Sequence, residues 1–307
     1  MKFNSLILLL AAPALLLCAC QKTRVAQQAE NISRELTDGH IVFSASADAA
    51  TRAVQGSMTE STAATVQSGG FKVAGVIGTD TYFNETASWD GTNSWYATAN
   101  TYYYPTTSAI NFYAVHPASQ AITVSSGAAT LSYTSDGTTD LIAKKVTVEA
   151  GGSGSTALAF DHILSQVKIA CHGSDALCTY TVTDIKLSSK TSGVYAYSSD
   201  SWGSLGADTE WDLLDAATAA STATGVFSAM GSTPTVVPGA CTVEISWDTY
   251  QGGAKVASYT VESDAFTPTK GKQCTVNCTL PNSAAEAITF TISVNAWGTE
   301  SRDLTLD

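Results

Sequence analysis

Apolar and polar positions alternate first in Ile41-Val42-Phe43-Ser44-Ala45-Ser46-Ala47, where Ile41, Phe43 and Ala45 fall on one face. That two-residue period predicts a half-buried β-strand. Further runs of strand character follow at Phe71–Ile77, Tyr82-Phe83, Ser94-Trp95-Tyr96, Ile110–Val115, Thr139–Ala143 and Ala157–Phe160. Gly, Asn, Asp and Pro residues separate them at short intervals, the rhythm of a β-sandwich. A second set runs through Val167–Ile169, Tyr180–Leu187, Cys241–Trp247, Val256–Val261, Gln273–Leu280 and Ile288–Val294. The Ser/Thr/Ala-rich stretch from Ala47 to Gly70 reads as a link, and Gly231 to Gly239 as a loop. Only the Asp/Ala-rich stretch from Ser198 to Ala223 suggests a short helix. The expected fold class is all-β, with two domains in tandem that divide near Ser165.

Composition narrows the function classes. Charged residues make up 14% of the 307-residue chain and the net charge is −12. Nucleic acid is excluded as an expected partner, because phosphate binding requires clustered Lys and Arg. The same charge disfavours adsorption to anionic lipid, so any membrane attachment needs another source.

The N-terminus offers one. Lys2 precedes an apolar run from Leu6 to Leu17, broken by Pro13. Twelve helical residues at about 1.5 Å each fall short of roughly 30 Å of hydrocarbon, so this is a signal peptide rather than a span. It ends in Leu17-Cys18-Ala19-Cys20, which resembles a bacterial lipobox with Cys20 as the acylated residue. Small Ala19 before Cys20 fits that role better than bulky Leu17 before Cys18. Two or more acyl chains on one cysteine give stable anchoring. The expectation is an exported outer-membrane lipoprotein displayed at the cell surface, held through lipid on Cys20.

Candidate chemistry is sparse. His40, His116, His162 and His172 lie far apart, outside any triad or zincin pattern. Asp208, Glu210, Asp212 and Asp215 could line a cleft as paired carboxylates, but a solvated acidic loop accounts for them more simply. Gly151–Ser155 lacks the lysine and helix context of a phosphate loop. No enzyme activity, metal or cofactor is expected. Besides Cys18 and Cys20 there are Cys171, Cys178, Cys241, Cys274 and Cys278, an odd number that leaves at least one unpaired within a monomer. Cys171 and Cys178 flank a short Gly-containing connection and could bond across a hairpin. Packing as small buried residues is the favoured reading of the five.

The segment Phe160-Asp161-His162-Ile163-Leu164-Ser165-Gln166-Val167 resembles the domain-junction signature of the fimbrillin (type V pilin) family of gut and oral anaerobes. Tyr103-Tyr104-Pro105, Asn111–Ala114, Asp140-Leu141-Ile142-Ala143 and the Lys272–Leu280 strand ahead of Trp297 are similar to further pieces of it. The resemblance spans residues 41 to 298. It implies two transthyretin-like β-sandwich domains, at 53–165 and 166–307, behind a signal peptide (1–20) and a tether with a removable first strand (21–52). It makes His162 a domain-junction residue rather than a catalytic one. It also implies an assembly chemistry. An arginine-specific maturation protease cuts between Arg52 and Ala53, the strand carrying Ile41, Phe43 and Ala45 leaves, and another fimbrillin subunit fills the groove by β-strand complementation.

Two features of the sequence bear on that expectation. Arginine occurs only at positions 24, 34, 52 and 302, so the whole body between Ala53 and Ser301 lacks one. Residues 21–52 carry balanced charge, so the acidic excess belongs to the part retained after a cut at Arg52. Taken locally, Ile41–Ala53 reads first as an ordinary strand with a loop arginine; the lipobox, the junction motif and the arginine-free body turn the reading to a detachable one. Only ten residues follow Trp297, with Asp303–Leu306 a very short alternating segment, where a shaft pilin would carry a longer donor strand. A tip or accessory subunit, an uncut anchor, or a lipid-anchored adhesin binding glycan or host protein through Trp89, Trp95, Trp202 and Trp211 therefore stand beside a shaft role.

Overall fold

The computed structural model describes residues 39–47, 61, 63–91, 94–283 and 288–296. Cys20, Arg52 and Ala53 lie outside the described residues, as do Trp297 and the segment after it. The first half contains β1 (Val42–Ala47), α1 (Ala63–Gly69), β2 (Phe71–Ile77), β3 (Asp80–Trp89), β4 (Trp95–Ala97), β5 (Ile110–His116), β6 (Ile122–Ser125), β7 (Ala128–Thr134), β8 (Ile142–Val148) and β9 (Ser155–His162). The second half contains β10 (Ser165–Gly173), β11 (Cys178–Lys190), β12 (Ser192–Ala196), β13 (Ser201–Gly203), β14 (Asp208–Asp212), β15 (Thr218–Ala220) and β16 (Ser228–Met230). It continues with β17 (Thr235–Val236), β18 (Thr242–Gln251), β19 (Ala254–Glu262), β20 (Lys272–Leu280) and β21 (Thr289–Ala296). The fold is all-β, as the alternating runs imply.

Seven strands of the first half close into a barrel in the order β1-β4-β3-β2-β5-β8-β9. Its β2 and β5 are near-continuous apolar runs because they are buried on both faces. Phe71, Val73, Phe112 and Ala114 point into the barrel core. Ala74, Val76, Tyr113 and Val115 point the other way, into a second core beneath a four-stranded sheet, β13-β12-β7-β6.

That four-stranded sheet is built from both halves of the chain. β12 pairs antiparallel with β7, from Ser192 opposite Thr134 to Ala196 opposite Thr130. Tyr195 and Tyr197 drop into the same core as Leu131 and Leu141, and the Tyr197 hydroxyl donates to the Ala114 carbonyl. The division expected near Ser165 falls at the first residue of β10, and the chain then returns across it. Residues 166–307 thus supply two strands to a core centred in residues 53–165.

The rest of the second half is a two-sheet sandwich. One sheet runs β16-β10-β20-β21 and the other β14-β11-β18-β19, with β17 and β15 attached to β10 and β11. Alternating residues of β11, β18 and β20 enclose Trp247, Tyr180, Ile185, Leu187 and Val276. The stretch 198–223 forms β13, β14 and β15 rather than the suggested helix. Extended pairing wins there because Lys186 and Lys190 of β11 reach Glu210 and Asp208 of β14, each at 3.0 Å. The helix instead lies at Ala63–Gly69, in the stretch read as a link, with Val66 buried against the barrel core.

Candidate functional site: the closing strand of the barrel

β1 occupies the seam of the barrel. On one side it runs parallel to β9 over its whole length, from Val42 opposite Ser155 to Ala47 opposite Phe160. On the other it is held by one strand pair, Phe43 opposite Trp95 of β4. Two contacts just ahead of it add to that side: Ile41 N–H donates to the Tyr102 carbonyl at 2.8 Å, and His40 bridges to Tyr103. Beyond β1, the partner of β9 is β8, and they pair only at Ile142/His162 and Ala143/Asp161. Without β1, most of β9 would present a free edge of N–H and C=O groups, which is costly until another strand fills it.

The side chains of β1 follow the alternation expected of them. Phe43 is fully buried and Ile41 is 5% exposed, while Val42 and Ser44 are half-buried and Ser46 is exposed. Phe43 meets Phe112 and Phe71 edge-on, with centroids 5.2 and 5.8 Å apart, geometries that aromatic quadrupoles favour. Ala45 is only half-buried, packing on the rim of the same core. The pocket beneath β1 is thus dominated by one large apolar position, Phe43.

Around the seam, residues carried by the quoted motifs converge. The Tyr104 hydroxyl lies 2.7 Å from Thr156 Oγ1 and donates to Gly154 O at 3.0 Å, tying the Tyr-Tyr-Pro segment to the start of β9. At the far end of β9, His162 Nδ1 lies 3.0 Å from the Asp140 carboxylate. Asp140 is fully buried and also accepts from Ser61 N–H at 3.0 Å, while Ser61 Oγ donates to the Asp140 carbonyl at 3.3 Å. The Asp-Leu-Ile-Ala and Phe-Asp-His motifs therefore meet in one buried pair. That pair pins the chain at Ser61, between β1 and α1. Sequence reasoning singled out both motifs without seeing that they touch.

Helix α1 is fastened next to it. His116 Nδ1 is 2.7 Å from the Gly70 carbonyl, and since a carbonyl only accepts, Nδ1 carries the proton. Gly70 has φ +64°, and a Cβ there would sit 2.4 Å from Ala87 O, so this turn requires glycine. Burial holds the His116 imidazole below its ordinary pKa, against the opposing pull of the Gly70 hydrogen bond and the Asp140 charge. A histidine whose folded pKa lies below its unfolded one takes up a proton more readily when unfolded. Stability should therefore fall as pH drops below about 6.5. Urea midpoints between pH 7.5 and 5.5 should show that decline, and His116→Gln should flatten it.

The remaining candidate residues take structural places. Trp95 is buried, and Trp89 packs on it with ring centroids 4.4 Å apart. Trp202 donates its indole N–H to Ile163 O, and Trp211 donates to Ser189 Oγ at 2.9 Å. These four rings are packing elements and do not line up as an exposed platform. Asp208 and Glu210 are spent in the exposed ion pairs with β11 described above. Among the described residues no group of three His, Cys, Asp or Glu is placed to hold a metal ion, and no helix is long and apolar enough to cross a membrane.

The five cysteines of the second half are buried thiols. Cys178 faces Asp175 of its own turn, with Sγ 3.8 Å from the carboxylate. Cys171 lies in register between Ser228 of β16 and Cys278 of β20. Burial pushes the Cys241 thiol up to about 12. Iodoacetamide at pH 8 should therefore leave Cys241 unmodified in the folded protein and alkylate it in guanidinium, as read by peptide mass.

The sequence matches the fimbrillin-like family over residues 51–297, which is most of the chain. The chain belongs to the fimbrillin-like family. Among solved structures, this fimbrillin-like chain is similar to a fimbrial protein from Bacteroides vulgatus, at 18% identity and a TM-score of 0.63, covering 83% of this chain and 99% of that one. It is also similar to a candidate cell adhesion protein from Bacteroides uniformis, at 15% identity and a TM-score of 0.50, covering 85% and 99%. At such identities the likeness is one of fold. No curated protein matches the chain.

Proposed function

We propose that this fimbrillin-like chain is a non-enzymatic building block of a cell-surface fimbria, and that β1 is a closing strand exchanged during assembly. The reading rests on one observation above others: β1 completes the barrel with a full ladder on β9 and a single strand pair on β4. A strand so placed can leave without disturbing any other pairing, and its departure opens a groove along β9 lined by the Phe43 pocket. Another subunit's strand, presenting a large apolar residue at that register, would restore both the ladder and the core. Fimbrial and adhesion proteins of similar fold support the surface setting.

In this scheme lipid on Cys20 carries the precursor at the outer membrane, and an arginine-specific protease cuts between Arg52 and Ala53. The buried Ser61–Asp140–His162 contacts support such a cut. They fix the chain on the retained side of Arg52, so loss of β1 would leave α1 seated. A second reading, an uncut anchor or adhesin, is favoured by the fact that with β1 in place the barrel is already closed.

Arg52→Ala separates the two. Incubation with an arginine-specific protease should convert the wild-type chain into a ladder of oligomers, while Arg52→Ala, cut only at Arg24, Arg34 and Arg302, stays monomeric. Equal ladders from both proteins would contradict strand release at Arg52.

A further inference from the structure

We propose that Cys171 and Cys278 are joined as a disulfide in the exported protein, bolting β10 to β20 through the core of the second half. The two residues are direct partners in the parallel ladder, and both are fully buried in the same core cluster. Their side chains therefore leave adjacent strands on the same face. Neighbouring strands lie about 4.8 Å apart, inside the roughly 4.4–6.8 Å between Cα atoms that a disulfide spans. The thiols already interact: the Cys171 side chain, and then burial, raise the Cys278 pKa.

Cys178, the other candidate partner for Cys171, stands on β11 of the facing sheet and is engaged with Asp175. The inference rests on the cell-surface reading, because disulfides persist in exported proteins and not in reducing compartments.

The chemistry is thiol–disulfide exchange with a disulfide-bearing oxidoreductase. One cysteine thiolate attacks the oxidant's S–S bond to give a mixed disulfide. The second cysteine then displaces the oxidant's sulfur. Cys171 and Cys278 together lose two protons and two electrons, and the oxidant leaves as a dithiol. Both sulfurs are sealed in the fold, so the exchange takes place before β20 docks on β10. The bond closes a loop of about 100 residues and ties the β20–β21 hairpin covalently to the body, which should raise Tm by roughly 10 °C.

The test is a peptide map of protein recovered from cells and denatured in iodoacetamide without reductant. Cleavage after Lys168, Lys186 and Lys272 and before Asp175 separates Cys171 from Cys178. Fragmentation then distinguishes Cys274 from Cys278. The expected product is a Cys171 peptide joined to a Cys278 peptide. Full alkylation of both cysteines, or a bond from Cys171 to Cys178 or from Cys278 to Cys241, overturns the proposal. Wild-type protein unfolded and refolded in dithiothreitol should melt roughly 10 °C below the untreated protein, while Cys171→Ser and Cys278→Ser should melt alike with and without that treatment; equal shifts in all three would contradict it. Free thiols in a subunit that still forms an Arg52-dependent ladder would sink this inference alone, leaving the fimbrial reading intact.

Discussion

Phe43→Ala is expected to destabilise the barrel by about 3–5 kcal/mol, the range for removing a fully buried aromatic side chain. Phe43 is the largest buried side chain on β1, and it meets Phe71 and Phe112 edge-on. Its loss leaves a cavity bounded by strands on both sides of the seam, which the short β4 edge is poorly placed to collapse. Ser46 on the same strand is exposed, so Ser46→Ala should change stability by no more than about 0.5 kcal/mol. Urea midpoints of the uncut chain give both numbers. If β1 is the closing strand, Phe43→Ala should also speed replacement of β1 by an added peptide carrying the wild-type 41–47 sequence. Equal midpoints for the two variants would mean that β1 contributes little to the seam.

The second large effect is expected at Asp140. Its carboxylate is fully buried and is met by Ser61 N–H and His162 Nδ1. Asp140→Ala removes the acceptor for both, and each buried donor left without a partner costs about 1–3 kcal/mol. Asp140→Asn keeps an acceptor oxygen and gives up the charge, so it should cost clearly less. The loss should be local as well as global: amide exchange from Ser61 through α1 to Gly70 should accelerate more than exchange in β18 or β20. Identical costs for the alanine and asparagine variants would show that the contact is packing and not a charge-assisted network.

Much of this architecture is legible along the chain wherever a single strand carries its own signal. The Ile41–Ala47 alternation places Phe43 inward, and the near-continuous apolar runs of β2 and β5 are strands because both of their faces are largely covered. Local pattern fails where pairing partners decide. Asp208–Asp212 looks like an acidic loop until Lys186 and Lys190 stand opposite it. Val66 alone gives α1 an apolar anchor, too little to mark a helix within a Ser/Thr/Ala-rich stretch.

The site divides in the same way. That Ile41–Ala47 is a strand follows from its alternation; that it runs parallel to β9 and closes a barrel depends on a partner more than a hundred residues away. Asp140 and His162 are each conspicuous, yet nothing in their spacing says that they meet over Ser61. Cys171 is nearest in sequence to Cys178, while the ladder sets Cys278 beside it. A parallel pairing brings together residues that no short-range rule connects.

The most direct test of the closing-strand account is the N-terminal residue of the protein in assembled fimbriae, set against that of the cell-bound monomer. The account predicts Ala53 at the start of every polymerised copy, in a ladder of oligomers that collapses on heating, with the intact strand Ile41–Ala47 confined to unassembled chains. Polymerised copies that retain residues 41–47, or monomers that begin at Ala53 and never assemble, would contradict it.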